Sequence, residues 1–159
     1  MAVDDNGIVW FTEFHGGKIG RLDPATGTTI TETPVPNNGG PQHIAIASDG
    51  KVWFTERFNH RVGYLDPSNN NQVTQFDTLT PSAGPADIAA ADDGSVWFTQ
   101  TRVGNVARIT PDGTITEAGK TVKANSGLDL SFGITMGPDG QSVWYTKPAD
   151  NKIARLTPR

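Results

Sequence analysis

Short apolar runs alternate with breaks rich in Gly, Pro and Asp along the chain, and one run returns four times. Val9-Trp10-Phe11-Thr12, Val52-Trp53-Phe54-Thr55, Val96-Trp97-Phe98-Thr99 and Val143-Trp144-Tyr145-Thr146 hold every tryptophan of the protein, at spacings of 43, 44 and 47 residues. Before each run stands a turn pair: Asn6-Gly7, Asp49-Gly50, Asp93-Gly94 and Asp139-Gly140. Earlier in the unit comes Gly-Pro-x-x-Ile, from Gly40 to Ile44 and from Gly84 to Ile88, with a degenerate copy from Leu130 to Ile134. Seven residues after each Thr a second apolar segment opens, at Ile19, Val62, Val106 and Ile153.

The pattern predicts up to four short strands per unit. Segment a, such as Ile44 to Ala47, is small and apolar. The Asp-Gly pair behind it supplies the positive φ of a tight hairpin. Segment b, the Trp run, is aromatic and β-branched and suits a sheet buried on both faces. Segment c, of the Ile19-Gly20-Arg21-Leu22 type, stops at Asp23-Pro24, Asp66-Pro67, Thr110-Pro111 or Thr157-Pro158, because proline cannot donate to a strand ladder. Segment d (Ile30 to Glu32, Val73 to Phe76, Ile115 to Glu117) alternates polar and apolar residues, as an exposed edge does. A repeat near 44 residues built of short antiparallel strands predicts an all-β protein, a β-propeller with four blades per chain. A sandwich or barrel offers no reason for one Trp to recur at even spacing. The blades are expected at about residues 1–38, 39–81, 82–121 and 122–159, in a single propeller segment.

Segment a of the first unit would open at Met1, and the last unit stops after its segment c, with no segment d. Three readings stay open: a fragment of a longer propeller, a half-propeller whose homodimer closes an eight-bladed ring, or a lone four-bladed ring. Assembly or fragmentation is the stronger expectation, and self-association is the partner it implies.

Composition narrows the chemistry. Gly and Pro number 18 and 11 of 159 residues, poor ground for long helices. Thirteen Lys and Arg against 17 Asp and Glu give a net charge of −4, which argues against nucleic acid as a partner. With no cysteine, disulfides, thiolate nucleophiles and Cys-ligated zinc are all excluded. No apolar run approaches the roughly 18 residues of a membrane span. Asp4 and Asp5 argue against a signal peptide, so the expectation is a soluble protein, with the cytoplasm favoured and no membrane partner.

The frame Gly-Pro-x-x-Ile-Ala-x-x-x-Asp-Gly-x-Val-Trp-Phe-Thr-Glu, clearest from Gly40 to Glu56, followed by Ile-Gly-Arg-Leu-Asp-Pro as in Ile19 to Pro24, resembles the repeat of the streptogramin B (virginiamycin B) lyase family. The likeness covers essentially all 159 residues. It implies a seven-bladed propeller nearly twice this long and a magnesium-dependent elimination, a C–O lyase reaction that opens the ester-linked ring of cyclic depsipeptide antibiotics. In that family the catalytic His follows Pro in segment a, and an acidic residue precedes that Pro. The matching positions here are Gln42, Ala86 and Phe132 for the His, and Gly40, Gly84 and Leu130 for the acid. The resemblance therefore implies the scaffold and leaves the reacting groups to be found.

His43, one position further on, is the candidate general base at the rim of the channel, against the plainer role of a hydrogen-bonded blade entrance. Glu56 is its candidate carboxylate partner. His15 and His60 fall in the turns between segments b and c and are expected to be solvated. The residue after each Trp run is Glu13, Glu56, Gln100 or Lys147. A position that changes charge between copies predicts exposure at one rim, where Glu13 and Glu56 would offer oxygens to Mg²⁺, or else pair with Arg57 or Arg61. Asp49, Asp93 and Asp139 are turn residues, and Arg21, Arg108 and Arg155 are expected to cross the blade to an Asp on the next turn. The longer last spacing comes from an insertion over Ala118 to Leu130, bearing Lys120, Lys123 and Asp129, and predicts a binding loop. Two functions follow: a magnesium-assisted lyase using a rim His and a carboxylate, or a non-catalytic propeller scaffold, natural or engineered, that presents loops to a ligand or partner.

Overall fold

The structure, a computed structural model, describes residues 1–118 and 133–157; the insertion reading at Lys120, Lys123 and Asp129 lies outside them. Among the described residues, fifteen strands form four antiparallel sheets whose strand order follows the chain. The first holds β1 (Ala2–Val3), β2 (Val9–Glu13), β3 (Lys18–Leu22) and β4 (Ile30–Pro34). The second holds β5 (Ile44–Ile46), β6 (Val52–Glu56), β7 (Arg61–Asp66) and β8 (Gln72–Asp77). The third holds β9 (Pro85–Ala90), β10 (Val96–Gln100), β11 (Asn105–Ile109) and β12 (Ile115–Ala118). The fourth holds β13 (Ile134–Met136), β14 (Val143–Lys147) and β15 (Lys152–Leu156). These are the predicted segments a to d, and the chain is a four-bladed portion of a β-propeller. Among the described residues no helix is long and apolar enough to cross a membrane.

The hairpins form for the local reason the sequence suggests. Gly7, Gly50, Gly94 and Gly140 all take positive φ, between 63° and 81°. The preceding carboxylates accept backbone amides two residues on, Asp49 from Lys51 at 3.1 Å and Asp93 from Ser95 at 2.9 Å. The arginines depart in part from expectation. Arg21 lies 3.8 Å from Asp23 on the next turn, but Arg108 and Arg155 reach back to Asp93 and Asp139, at 2.6 and 2.8 Å. The reason is local: where the first blade has Asp23 before its proline, these two have Thr110 and Thr157, which offer no charge.

The core lies between the blades. Trp10 packs with Val52, Phe54 and Leu65 of the second blade, Trp53 with Ile88, Val96, Phe98 and Ile109 of the third, and Trp97 with Ile134, Val143 and Tyr145 of the fourth. Trp10, Trp53 and Trp97 thus each share a cluster with the aromatic residue of the next blade's Trp run. Close approach within a blade depends on the small residue of segment c: a Cβ at Gly63 would lie 2.7 Å from the Thr74 carbonyl and 2.9 Å from the Phe54 ring.

Candidate functional site

The recurring Thr of each Trp run anchors the entry of segment a. Thr55, Thr99 and Thr146 accept the backbone amides of His43, Asp87 and Gly133, at 3.3, 3.0 and 3.1 Å. In the third blade the pairing of β9 with β10 slips between Phe98 and Gln100, a bulge at the position of Asp87. A second pair of bonds ties the first two blades to the innermost strand of the next. Thr12 donates to the Gln42 carbonyl at 3.0 Å, and Thr55 donates to the Ala86 carbonyl at 2.6 Å. In the second and third blades the residues before the Ile of segment a are therefore held from two sides.

That position carries His43 in the second blade, Asp87 in the third and Gly133 in the fourth. Blade packing sets successive innermost strands side by side, so His43 Nδ1 lies 3.0 Å from Asp87 Oδ1. Asp87 Oδ1 also accepts the Ile88 amide at 3.0 Å, and Oδ2 accepts the Ile134 amide of the fourth blade at 3.0 Å. Burial pushes the Asp87 carboxyl up, but His43 and the two amides together outweigh it and hold the group below the usual carboxylate range. An ionised Asp87 accepts Nδ1–H and puts the imidazole lone pair on Nε2. The His43 side chain is 45% exposed, so the pair stands at an accessible rim. Reading along single segments misses Asp87; setting the repeats in register finds it, because His and Asp occupy one position in adjacent copies.

Glu56 is elsewhere. Thr55 faces the third blade and Glu56 the first, so His43 and Glu56 lie on opposite faces of the second sheet and are not brought together. Nor is Glu56 exposed: it is fully buried, as is Gln100, which corrects the expectation of an open rim position. Glu56 Oε1 accepts Gln75 Nε2 at 2.5 Å, and Gln100 Nε2 donates to Glu117 Oε1 at 3.1 Å. The two blades hold the same carboxylate–amide pair with the partners exchanged between strands. What looked like free variation on segment b is compensated on segment d. Burial pushes the Glu56 carboxyl up, against the opposing pull of Gln75, Asn59 and Arg61.

Exchange makes a test. Gln75→Glu alone sets two carboxylates together in a buried place and is expected to cost about 2–3 kcal/mol. Glu56→Gln with Gln75→Glu is expected to recover most of that loss in urea unfolding; no recovery would show that the two blades are not equivalent here. The pH dependence has a definite sign. A carboxyl raised in the folded state contributes most below its ordinary value of 4.5 and loses that contribution as pH rises through its folded value. Glu56→Gln is therefore expected to stabilise the protein near neutral pH, with the gain fading by about pH 4.

Glu13 lies beside Lys18 and Glu32, on the face of the first sheet turned away from the second blade. The sheet of the first blade stands between Glu13 and Glu56, so they cannot share a cation. Among the described residues no three His, Asp or Glu side chains are grouped to hold a metal ion. As placed, Glu13 and Glu56 do not make a shared magnesium site. His15 is exposed against the Phe14 ring, at 4.9 Å between centroids. His60 sits in the β6–β7 turn, where burial and then Arg102 push it below the ordinary histidine value.

Comparison with known proteins adds three findings. A model of the virginiamycin B lyase family matches residues 1–159. Two virginiamycin B lyase structures from Staphylococcus aureus superpose closely: a catalytically inactive His-to-Ala variant with quinupristin, at 30% identity and TM-score 0.85, and a selenomethionine form, at 34% and 0.84. They cover 98% and 99% of this chain, but the chain spans only 50% and 51% of theirs. A putative 6-phosphogluconolactonase from Bacteroides uniformis, at 16% identity and TM-score 0.74, shares the fold. A comparison with curated proteins finds no match.

Proposed function

The chain belongs to the virginiamycin B lyase family, and from that premise we propose that it acts on cyclic depsipeptides of the streptogramin B type as a C–O lyase. The observation that carries this reading is the His43–Asp87 pair, 3.0 Å apart at the mouth of the innermost strands. Asp87 orients the imidazole and favours the imidazolium once it forms; His43 is the base. Nε2 takes the proton from the carbon α to a carbonyl in the ester-bearing residue. The freed electron pair forms a C=C bond with the neighbouring carbon, and the ester oxygen leaves as a carboxylate with the C–O bonding pair. The ring opens without consuming water, and the proton rests on His43.

Liquid chromatography with mass spectrometry on quinupristin or virginiamycin S decides it. The expected product is a ring-opened peptide of unchanged mass and altered retention, bearing a new unsaturated residue. Unchanged antibiotic after prolonged incubation would overturn the reading, and so would a product heavier by one water, the mark of hydrolysis.

A further inference from the structure

His43 and Asp87 each follow a connection between blades, and a connection carries backbone groups that no strand ladder satisfies. Residues 35–43 lead from β4 to β5 and end on His43; residues 78–84 lead from β8 to β9, which carries Asp87. Under each connection lies the carboxylate–amide pair of the blade it enters, with one partner of each pair, Glu56 or Gln100, fully buried. In the second blade Gln75 Nε2 donates to Glu56 Oε1 at 2.5 Å and to the Pro36 carbonyl at 3.3 Å. Asn59 Nδ2 donates to Glu56 Oε2 at 3.4 Å and to the Gly39 carbonyl at 3.3 Å. Gly39 itself is buried against the Glu56 carboxylate, with no room for a Cβ. In the third blade Glu117 accepts both the amide and the hydroxyl of Thr80, at 3.1 and 2.8 Å, and Gln100 Nε2 braces it at 3.1 Å. Further along, Thr101 donates from its amide and its hydroxyl to the Gly84 carbonyl, both at 3.0 Å.

We propose that Glu56 and Glu117 are positioning residues, each clamping the connection that delivers one member of the His43–Asp87 pair. Glu56 lies on the opposite face of its sheet from His43 and acts on it through the backbone from Gly39 to Gln42. Glu117 acts on Asp87 through Thr80 and the rest of the second connection. The His43 side chain is 45% exposed, so packing alone does not seat the ring, and its place depends on the backbone that carries it. The 3.0 Å contact joins two blades, and a shift of either connection by about 1 Å takes it out of hydrogen-bond reach. On the lyase reading, on which this role rests, such a shift misplaces the base and costs about 10²-fold in rate. The exchange of carboxylate and amide between segments b and d keeps one device in both blades, at the two connections that feed the pair.

The tautomer of His43 is the readout that a merely structural role would not move. Nitrogen NMR of isotope-labelled protein, with the ring neutral, is expected to show Nδ1–H in the parent, the form that Asp87 selects, and His43→Gln identifies the signals. Gly39→Ala sets a methyl group against Glu56 at a φ of −55°, which alanine accepts, and so wedges the first connection away. Glu117→Ala releases the second; should it not fold, Thr80→Val, which keeps the shape and deletes one of the two bonds, reads the same clamp. Each is expected to shift His43 towards the Nε2–H form that an unconstrained histidine prefers, and to lower kcat about 10-fold to 100-fold with KM little changed. Glu56→Gln and Glu117→Gln keep an acceptor in place and are expected to retain the parent tautomer and most of kcat. Folded Gly39→Ala, Glu117→Ala or Thr80→Val protein with the parent tautomer and kcat would overturn the clamp, and so would a parent without the Nδ1–H form. The lyase reading stands or falls apart from it: a parent that leaves quinupristin intact sinks that reading, while the tautomer still decides the clamp.

Discussion

Trp97→Ala is expected to cost about 3–5 kcal/mol in urea unfolding of dilute protein, whereas Trp144→Ala costs less than half of that. The two residues are the same in sequence terms: both follow Val, both precede an aromatic and Thr, and both lie four residues after an Asp-Gly turn or one step beyond. They differ in what lies over them. Trp97 is 4% exposed and meets Ile134, Val143 and Tyr145 of the fourth blade. Removing it leaves a cavity walled by two sheets that cannot collapse without sliding the blades. Trp144 is 39% exposed, with Arg155 over its ring at 5.6 Å. Much of its apolar surface already meets water in the single chain, so truncation forfeits less. Equal losses at the two positions in monomer would contradict the blade-on-blade account of stability.

His43→Ala is expected to lower lyase activity on quinupristin by about 10²–10⁴-fold, the range for loss of a positioned acid–base group. Asp87→Asn carries the sharper information. Asparagine keeps the shape and one acceptor but removes the charge that favours the imidazolium, and its amide can turn a donor towards Nδ1. The expected result is a fall in kcat with KM little changed, together with an altered pH profile. A merely structural role for Asp87 would leave the kcat and KM pattern and the pH profile of the folded fraction untouched. Asp87 has a stability signature of its own. Held below its ordinary value of 3.8, it contributes stability above that value and loses it as pH falls through its folded value. Asp87→Asn is thus expected to lower stability near neutral pH, with the difference from the parent protein fading as pH falls through the acid range. His43→Gln, which keeps a polar group facing Asp87, guards against reading a packing loss as a catalytic one.

Much of the fold was legible because its signals are short. An Asp-Gly pair makes a hairpin from its own φ and its own side-chain bond, and a Val-Trp-Phe-Thr run is a strand in any of its four settings. The segments Ile30 to Glu32, Val73 to Phe76 and Ile115 to Glu117 were found as edge strands by alternation alone, and the structure extends them only at their ends. The site was less legible. Charge variation from Glu56 to Gln100 suggested an open rim, yet both are buried, since their partners Gln75 and Glu117 stand 19 and 17 residues away on another strand. His43 was visible and Asp87 was not, because they lie 44 residues apart and meet only through blade packing.

The sequence by itself determined the repeat, the strands and turns of each blade and the propeller class, since these follow from spacing, propensity and backbone freedom within one unit. Only the tertiary structure decided which copies of one residue are buried, which charge has a partner, and that His43 answers to Asp87 and not to Glu56. The physical reason is that a blade has two unlike faces. A strand alternates its side chains between them, but which face meets a neighbouring blade and which meets water depends on where the blade stands in the ring.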